Sequence, residues 1–265
     1  MSENIIIVKN LNKTYGKLKV LKNVTFNVKQ KEIFGFLGPN GAGKSTTIKI
    51  LTTILNSDSG KITINGFDPL KSPDDIRKSF GIVFQDPSLD DELTAYENLD
   101  MHCVFYKIPK TERKKRIEHI LKVVELWDRK NDLVKNFSGG MKRRLEIARG
   151  LLHYPKVLFL DEPTVGLDPQ TRTHIWEYIK EINRKEGTTI FFTTHYMDEA
   201  QKYATNIAVI DKGKIIDVGT SKELIKRTKT KNLEDAFLKI TGYNIRDQEV
   251  SSLDNLRLRK KIMHR

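Results

Sequence analysis

Short blocks rich in apolar residues alternate with polar, turn-forming residues along the first third of the chain. Blocks of this length between turns are typical of β-strands. They lie at residues 5–8, 24–28, 33–37, 61–64 and 81–84. The fourth block runs into Asn65-Gly66, a pair that favours a tight turn. Residues 38–45 join the third block to a run that predicts a helix through about residue 54.

The middle of the chain changes to the spacing of helices. Thr94 and Glu97 have the three-residue separation of a capping box, which predicts a helix start. Further along, one helix face is predicted at Ile117, Ile120, Leu121 and Val124. A second helix is predicted to begin at the N-cap Ser138. Its apolar face has Met141, Leu145, Ala148 and Leu152.

Strands and helices alternate again from residue 157 onward. Strands are predicted at 157–160, 189–193 and 207–210, and helices are predicted to start at Asp168-Pro169 and at Ser221. A last short helix, 233–240, is closed by Gly242.

This order of elements predicts an α/β fold with a mostly parallel sheet, antiparallel strands near the N-terminus and an inserted helical subdomain. The predicted core consists of residues 1–85 and 153–219. Residues 86–152 form the helical subdomain, and residues 220–265 form a small C-terminal extension with a basic tail.

Composition narrows the class of protein. Apolar residues make up 38% and charged residues 31% of 265 residues, as expected for a globular chain. No apolar run reaches the roughly 18 residues of a membrane-spanning helix. Cys103 is the only cysteine in the sequence, so no intrachain disulfide can form. We therefore expect a soluble intracellular chain.

The formal net charge is +13. Residues 212–265 have 14 Lys and Arg against 7 Asp and Glu, so 14 − 7 = +7 of that charge lies in the last fifth of the chain. A lysine-rich solvated surface, an anionic membrane face and a nucleic acid each account for such a charge. Charge alone does not choose among them.

Residues 38–45 match the phosphate-binding pattern G-x-x-x-x-G-K-[ST]. Glycines let the backbone wrap around phosphate, and the N-terminus of the following helix attracts the same anion. In this pattern Lys44 contacts the β- and γ-phosphates, and the Ser45 hydroxyl is a Mg²⁺ ligand. The predicted strand before the loop and helix after it supply the structural context that the motif requires.

A second chemical element follows the apolar block 157–160, which ends in Asp161 and Glu162. A buried parallel strand brings polar residues to its carboxyl end, where α/β proteins bind ligands. Asp161 is placed to hold Mg²⁺, and Glu162 is placed to orient or deprotonate an attacking water.

With the stretch 137–142, Phe-Ser-Gly-Gly-Met-Lys, the chain resembles the nucleotide-binding subunits of ABC transporters. These residues are similar to the family's signature motif, and the resemblance extends over roughly residues 4–242. It implies that Ser138, Gly139 and Gly140 contact the γ-phosphate bound by a partner protomer. Met141 departs from the family pattern, which usually has Gln here, and Met cannot make the same polar contacts.

Other family motifs follow in order. Tyr15 resembles the residue that stacks on adenine, although an ordinary core or surface tyrosine is as consistent with the sequence alone. Gln85 resembles the Q-loop glutamine that senses Mg²⁺ and the membrane partner. Residues 166–168 resemble the D-loop, and His195 resembles the switch histidine near the γ-phosphate.

The resemblance implies a P-loop NTPase core of the RecA-like type and a complete set of site residues. The catalytic residues are Glu162, His195, Gln85 and Lys44. The Mg²⁺ ligands are Ser45, Gln85 and Asp161. The ATP-contacting residues are Tyr15, Gly38, Pro39, Asn40, Gly41, Ala42, Gly43, Lys44, Ser45, Thr46, Ser138, Gly139 and Gly140.

The same resemblance implies Mg²⁺-dependent ATP hydrolysis in a dimer that sandwiches two ATP molecules. A separate polytopic membrane subunit would carry the substrate, which places this chain at the cytoplasmic face of the cell membrane. The stretches 194–200 and 233–242 resemble the export branch related to drug and antibiotic resistance. No nucleic acid partner is expected from this assignment.

Two alternatives remain open at the level of sequence. One is an ABC ATPase acting on nucleic acid, which the net charge favours. However, only 52 residues separate Gln85 from Ser138, and they contain no sustained heptads of the kind found in the coiled-coil branch. The other is a scaffold ATPase of the iron–sulfur assembly type, against which the export-like stretches argue only modestly.

Overall fold

Two β-sheets form the framework of the chain, which the computed structural model describes over residues 3–69, 71–86 and 88–242. The strands are β1 (Asn4–Tyr15), β2 (Leu18–Lys29), β3 (Ile33–Leu37), β4 (Ser59–Ile64), β5 (Phe80–Val83), β6 (Val157–Asp161), β7 (Thr189–Thr194), β8 (Asn206–Asp211) and β9 (Lys214–Gly219). The smaller sheet is antiparallel, in the order β2-β1-β4. The larger has the order β5-β6-β7-β3-β8-β9, and it is parallel except for the edge strand β9.

Helices pack on this framework and form a group of their own in the middle of the chain. They are α1 (Lys44–Leu51), α2 (Pro73–Ser79), α3 (Ala95–Phe105), α4 (Lys110–Val123), α5 (Gly139–Leu151), α6 (Pro169–Glu186), α7 (Met197–Tyr203), α8 (Ser221–Thr228) and α9 (Leu233–Thr241). Helices α3, α4 and α5 contact one another around the buried side chains of Leu99, Cys103, Leu121 and Leu145. In the three described ranges, no helix is long and apolar enough to cross a membrane.

The central strands explain why the sheet has a chemically distinct edge. Every residue of β3, β6 and β7 is buried, as expected for parallel strands covered on both faces. Their register pairs Leu37 with Thr194 and Asp161 with Thr193. The carboxyl ends of these three strands therefore meet at one level, and the polar residues that follow each strand are brought together there.

The structure confirms the predicted parallel core with antiparallel N-terminal strands. Thr94 and Glu97 form the predicted capping box, and Ser138 caps α5. One prediction was slightly wrong, because α1 ends at Leu51 rather than near residue 54. Thr52 ends the helix, and Thr53 has a left-handed backbone with φ 61°.

Strand β9 was not predicted from the sequence, because it lies at the sheet edge and all of its residues except Gly219 are exposed or half-buried, so it has no buried apolar block. The division into core, helical subdomain and extension remains a prediction. The basic tail of residues 243–265 lies outside the described residues.

Candidate functional site

The phosphate loop joins the end of β3 to the start of α1, and two of its glycines are required by the backbone. Gly43 has φ 107°, and a Cβ there would lie 2.6 Å from Leu21 Cδ2. Gly38 has no positive φ, but a Cβ on it would lie 2.3 Å from the carbonyl oxygen of Ile210. Along the loop, Gly38, Ala42, Gly43 and Lys44 are buried, Pro39, Ser45 and Thr46 are half-buried, and Asn40 and Gly41 are exposed.

Lys44 is the buried cation of the loop. Its Nζ donates to the carbonyl oxygens of Gly38 at 2.8 Å and Pro39 at 3.2 Å. The same Nζ lies 3.1 Å from Oε1 of Glu162, and both side chains are almost fully buried. The loop therefore holds its ammonium group directly beside the acidic end of β6.

Ser45 and Asp161 bring two oxygen donors together. The Ser45 hydroxyl donates to Oδ1 of Asp161 at 3.3 Å, and the Thr193 hydroxyl donates to the same oxygen at 2.6 Å. Hydroxyl and carboxylate oxygens are the donors that Mg²⁺ prefers. The chemistry of this pair therefore fits a magnesium ion.

Glu162 follows β6 in a left-handed conformation with φ 48°, which is rare for a residue with a side chain. Its amide donates to the Thr193 hydroxyl at 3.0 Å, and His195 Nδ1 lies 3.0 Å from Oε2. Burial by itself acts to raise the pKa of Glu162. The hydrogen bond from His195 and the charge of Lys44 outweigh it, so the pKa lies below its ordinary value. Glu162 is therefore an ionised carboxylate at neutral pH.

Gln85 is exposed just beyond β5, the neighbour of β6 in the sheet. The register of these strands pairs Val83 with Leu160. Gln85 thus lies at the same sheet edge as Asp161 and Glu162. In the part of the chain that the structure describes, no hydrogen bond joins it to either.

Arg143 links this edge to α5, and the sequence analysis did not identify it. The guanidinium is buried and donates to the carbonyl oxygens of Pro163 at 2.6 Å, Glu162 at 3.1 Å and Phe84 at 2.5 Å. It also binds the buried carboxylate of Glu146 at 3.0 Å. Arg143 therefore ties the residues after β5 and β6 to one helix.

Glu146 extends this link toward the segment after Gln85. Its second oxygen accepts from the amide of Ser88 at 2.9 Å. The pair Arg143–Glu146 thus connects the Gln85 segment to the backbone of the residue that supplies the acidic site.

We predict that Arg143→Met lowers the free energy of unfolding by about 3–5 kcal/mol, because it leaves Glu146 as an unpaired buried charge. Adding Glu146→Gln removes that charge and is expected to recover about 1–3 kcal/mol. Urea unfolding measures both changes.

Arg144→Met is the matched control for this prediction. The Arg144 guanidinium is partly exposed, and its hydrogen bonds to Val124 O and Tyr178 Oη are 3.2 and 3.3 Å long. Its loss is expected to cost about 1 kcal/mol or less. Equal losses for Arg143→Met and Arg144→Met would contradict the assigned role of Arg143.

Glu199 is a second buried carboxylate that the sequence did not single out. It accepts from the hydroxyl of Thr164, which follows Glu162 by two residues, and from the hydroxyl of Thr194 at 3.2 Å. Burial raises the pKa of Glu199 above its ordinary value, and the two hydroxyls oppose this effect. Glu199 joins the loop after Glu162 to the loop that contains His195.

The signature segment lies on a different surface. Ser138 is exposed, and its hydroxyl accepts from the amide of Met141 at 3.3 Å. A Cβ on Gly140 would lie 2.5 Å from Cγ2 of Thr171, so this glycine permits close packing against the start of α6. In residues 3–69, 71–86 and 88–242, no hydrogen bond or ion pair joins Ser138, Gly139 or Gly140 to the Lys44 cluster.

Tyr15 lies at the end of β1 with its side chain 46% exposed. It pairs with Leu18 across the hairpin to β2, and β2 then passes beside the phosphate loop, where Val20 and Leu21 approach Gly43. The ring is thus an exposed aromatic surface on a strand that borders the loop.

These groups form one cluster at the carboxyl end of the sheet. The loop amides and Lys44 are suited to binding an anion, and Asp161 and Ser45 offer oxygen donors. Glu162 is a buried carboxylate 3.1 Å from Lys44 Nζ. Such a centre is suited to holding a polyphosphate and activating a water molecule against it.

Comparisons with known proteins agree with this chemistry. The family model described as ABC transporter matches residues 21–165. The linearmycin resistance ATP-binding protein LnrL of Bacillus subtilis (strain 168) is 44% identical over 218 residues, which cover 82% of this chain and 70% of the relative. The daunorubicin resistance ATP-binding protein DrrA3 of Streptomyces coeruleorubidus is 37% identical over 228 residues, which cover 86% of this chain and 72% of the relative.

A solved structure with a similar fold captures one state of the ATPase reaction. It is a dimeric, post-hydrolysis ATP-binding cassette bound to ADP and Pi, with a TM-score of 0.73 and 32% identity. The alignment covers 81% of this chain and 98% of the cassette. This chain belongs to the ABC transporter family as an ATP-binding subunit that hydrolyses ATP, and within the family it resembles the drug-resistance ATP-binding proteins.

Proposed function

We propose that this chain is the ATPase subunit of an exporter, working as a dimer with another copy or a paralogue and driving a separate membrane subunit. The observation that supports a dimer is the position of Ser138 relative to the phosphate loop. Ser138 and Gly139 are exposed and Gly140 is half-buried, and among the residues that the structure describes no hydrogen bond or ion pair joins the three to the phosphate loop. An anion nest that its own chain does not use is suited to the nucleotide of a second chain.

The phosphate loop holds ATP in this proposal. Its amides and Lys44 bind the phosphates, and Tyr15 stacks on adenine, an interaction worth about 1–3 kcal/mol. Ser45, Asp161 and Gln85 hold Mg²⁺, which when bound neutralises charge on the phosphates.

Glu162 is the proton acceptor for the attacking water. Its carboxylate is kept ionised by Lys44 and His195, so it can accept a proton on an Oε atom at neutral pH. His195 orients that carboxylate through Nδ1. The left-handed backbone of Glu162 is over-determined by Thr193 and Arg143, which keep the side chain at the sheet edge.

Dimer closure follows from the separation of the two half-sites. Contacts from Ser138, Gly139 and Gly140 to a γ-phosphate can form only when a second chain approaches. ATP therefore favours the closed dimer, and loss of the γ-phosphate removes those contacts and favours opening. The dimeric cassette among the similar structures supports this arrangement.

Export and the membrane subunit are supported by the relatives. Two of them are resistance proteins by name, and the sequence stretches around His195 and α9 are similar to that branch. A membrane subunit would contact the surface beside Gln85 and the helical insert of residues 86–135. Since Arg143 and Glu146 join that surface to Glu162, docking there can influence the acidic site.

The proposal is tested by purifying the tagged chain from detergent-solubilised membranes of the organism that encodes it. A polytopic membrane protein is expected to co-purify in a fixed ratio and to change the ATPase rate of the chain. The Ser138→Arg variant is a useful comparison, because Ser138 lies outside the proposed docking surface of Gln85 and residues 86–135. ATPase activity that responds to DNA or RNA, with no membrane protein captured, would contradict the transporter assignment.

A further inference from the structure

The imidazole ring of His195 contacts two side chains of its own chain. Its Nδ1 lies 3.0 Å from Oε2 of Glu162, and its ring centroid lies 4.1 Å from that of Tyr196, with 39° between the two ring planes. The His195 side chain is 31% exposed, so its surroundings do not enclose it on all sides. One hydrogen bond fixes one nitrogen but not the plane of the ring. The Tyr196 ring fills the space beside the imidazole and thus limits its rotation.

Arg172, near the start of α6, holds the Tyr196 ring. Its guanidinium carbon lies 4.4 Å from the ring centroid, which is within the range of a cation–π interaction. Its Nη2 donates to Tyr196 Oη at 3.3 Å, and its Nε donates to the carbonyl oxygen of Leu167 at 2.9 Å. The planar fork of an arginine can make all of these contacts together. Arg172 therefore connects the turn before α6 to the residue that follows His195.

The start of α6 gives Arg172 a fixed base. The Asp168 carboxylate caps the helix, because it accepts from the amide of Thr171 at 3.0 Å and from the Thr171 hydroxyl at 2.6 Å. The Arg172 amide donates to Asp168 O at 2.9 Å. The Thr171 side chain also packs closely against Gly140. The guanidinium thus extends from a backbone that is held on both sides.

The backbone around His195 is held by a separate set of contacts. The Tyr196 amide donates to the Thr194 hydroxyl oxygen at 2.9 Å, and that hydroxyl donates to Glu199 at 3.2 Å. The Gly38 amide donates to Thr194 O at 3.2 Å. These contacts fix the main chain and the Thr194 side chain, and none of them acts on the imidazole. The direction of the imidazole depends on the side chains that it touches.

We propose that Arg172 and Tyr196 are positioning residues that hold the His195 imidazole against Glu162. We call these two side chains the α6 bridge. Arg172 places the Tyr196 ring, and that ring restricts the imidazole to orientations in which Nδ1 meets Oε2. The inference rests on the proposed function in one respect, which is the role of His195 in hydrolysis. Since the α6 bridge acts through His195, its loss should lower kcat and leave ATP affinity unchanged.

The first test measures turnover and ATP binding of the purified full-length chain. We expect Tyr196→Ala to lower kcat about thirtyfold and Arg172→Met about tenfold, because small displacements of a catalytic group are costly. ATP affinity should stay within about twofold, since the phosphate loop is unchanged. Circular dichroism checks that both variants are folded. Normal turnover in both variants would overturn the proposal.

Tyr196→Phe is the conservative variant. It keeps the ring beside His195 and under the guanidinium, and it loses only the hydrogen bond at Oη. Its kcat is expected to stay within about twofold of the unmodified chain. A loss as large as that of Tyr196→Ala would assign the effect to the hydroxyl rather than to the ring, and that result would overturn the proposal.

Two matched controls change similar pairs that do not touch His195. Lys202 lies 4.9 Å from the centroid of the Tyr203 ring on α7, and the half-exposed Tyr154 ring lies 4.8 Å from the guanidinium carbon of Arg116. We expect Lys202→Met and Tyr154→Ala to keep kcat within about twofold. Losses equal to those of Arg172→Met and Tyr196→Ala would show a general effect of removing such pairs, against the proposal.

A double variant tests whether the α6 bridge acts through His195. His195→Ala alone is expected to lower kcat about a hundredfold. Adding Tyr196→Ala should change kcat by no more than about twofold further, because the ring then has no imidazole to place. A further loss as large as in the unmodified background would overturn the proposal. Normal turnover in His195→Ala alone would instead contradict the proposed function at His195, which is a different result.

Nuclear magnetic resonance observes the imidazole without reference to turnover. The chain is labelled with ¹³C at histidine Cε1, and the His195 signal is identified by its absence in His195→Ala. The nearby Tyr196 ring shifts this signal, so Arg172→Met is expected to move or broaden it, and Lys202→Met should not. An unchanged His195 signal in Arg172→Met would overturn the proposal even if kcat falls, because the pair would then serve only to pack α6 against the loop.

Discussion

Glu162→Gln is expected to lower ATP turnover by about a thousandfold while ATP still binds. Glutamine has the shape of glutamate and keeps an oxygen for Lys44 at Oε1, so the phosphate loop is not disturbed. It cannot accept the proton of an attacking water. Phosphate release measures turnover, and a fluorescent ATP analogue measures binding.

The same variant is expected to accumulate as a dimer with ATP, because the γ-phosphate is no longer removed. Size-exclusion chromatography with and without ATP shows this directly. Glu177→Gln, an exposed position on α6, is the matched control and should behave like the unmodified chain. Turnover of Glu162→Gln within a few-fold of normal would take Glu162 out of its proposed role.

Ser138→Arg is expected to lower ATP turnover by about a hundredfold or more. This loss is expected although Ser138 does not contact the phosphate loop of its own chain. The long side chain would cover the nest, so that this segment could no longer contact the γ-phosphate of an ATP molecule bound by a second chain. ATP binding by the single chain should remain, since Lys44 and the loop are unchanged. Phosphate release and analogue binding measure the two properties separately.

Loss of a helix cap alone does not account for such an effect. Thr220→Arg removes the N-cap of α8, which has its own capping box with Glu223. Both substitutions should cost about 1 kcal/mol of stability. Only Ser138→Arg should lose turnover, and similar activity losses in both would show that a folding defect is responsible.

Much of the candidate site could be predicted from the sequence, because the carboxyl ends of parallel strands lie at the same edge of a sheet. Lys44, Asp161 and His195 are far apart in the chain, but each follows a buried apolar strand. The register of β3, β6 and β7 then leaves little freedom in where their polar ends meet. For the same reason Gln85 could be assigned to this edge of the sheet.

Other residues of the site were not predictable, because their roles depend on packing between distant elements. Arg143 has cationic neighbours at Lys142 and Arg144, and periodicity does not say which of the three enters the interior. Glu199 appears in the sequence as one of two adjacent acidic residues on the short helix α7. Only the folded chain shows that it bridges the loops after β6 and β7.

The central claim is that each active site is made from two chains, and mixing two inactive variants tests it most directly. Lys44→Ala has an intact Ser138 nest, and Ser138→Arg has an intact phosphate loop. In a mixed dimer these intact halves face each other at one site. Equal amounts of the two variants are predicted to recover up to about a quarter of normal turnover, since half of the dimers are mixed and each has one complete site. A mixture that is no more active than either variant alone would contradict the account.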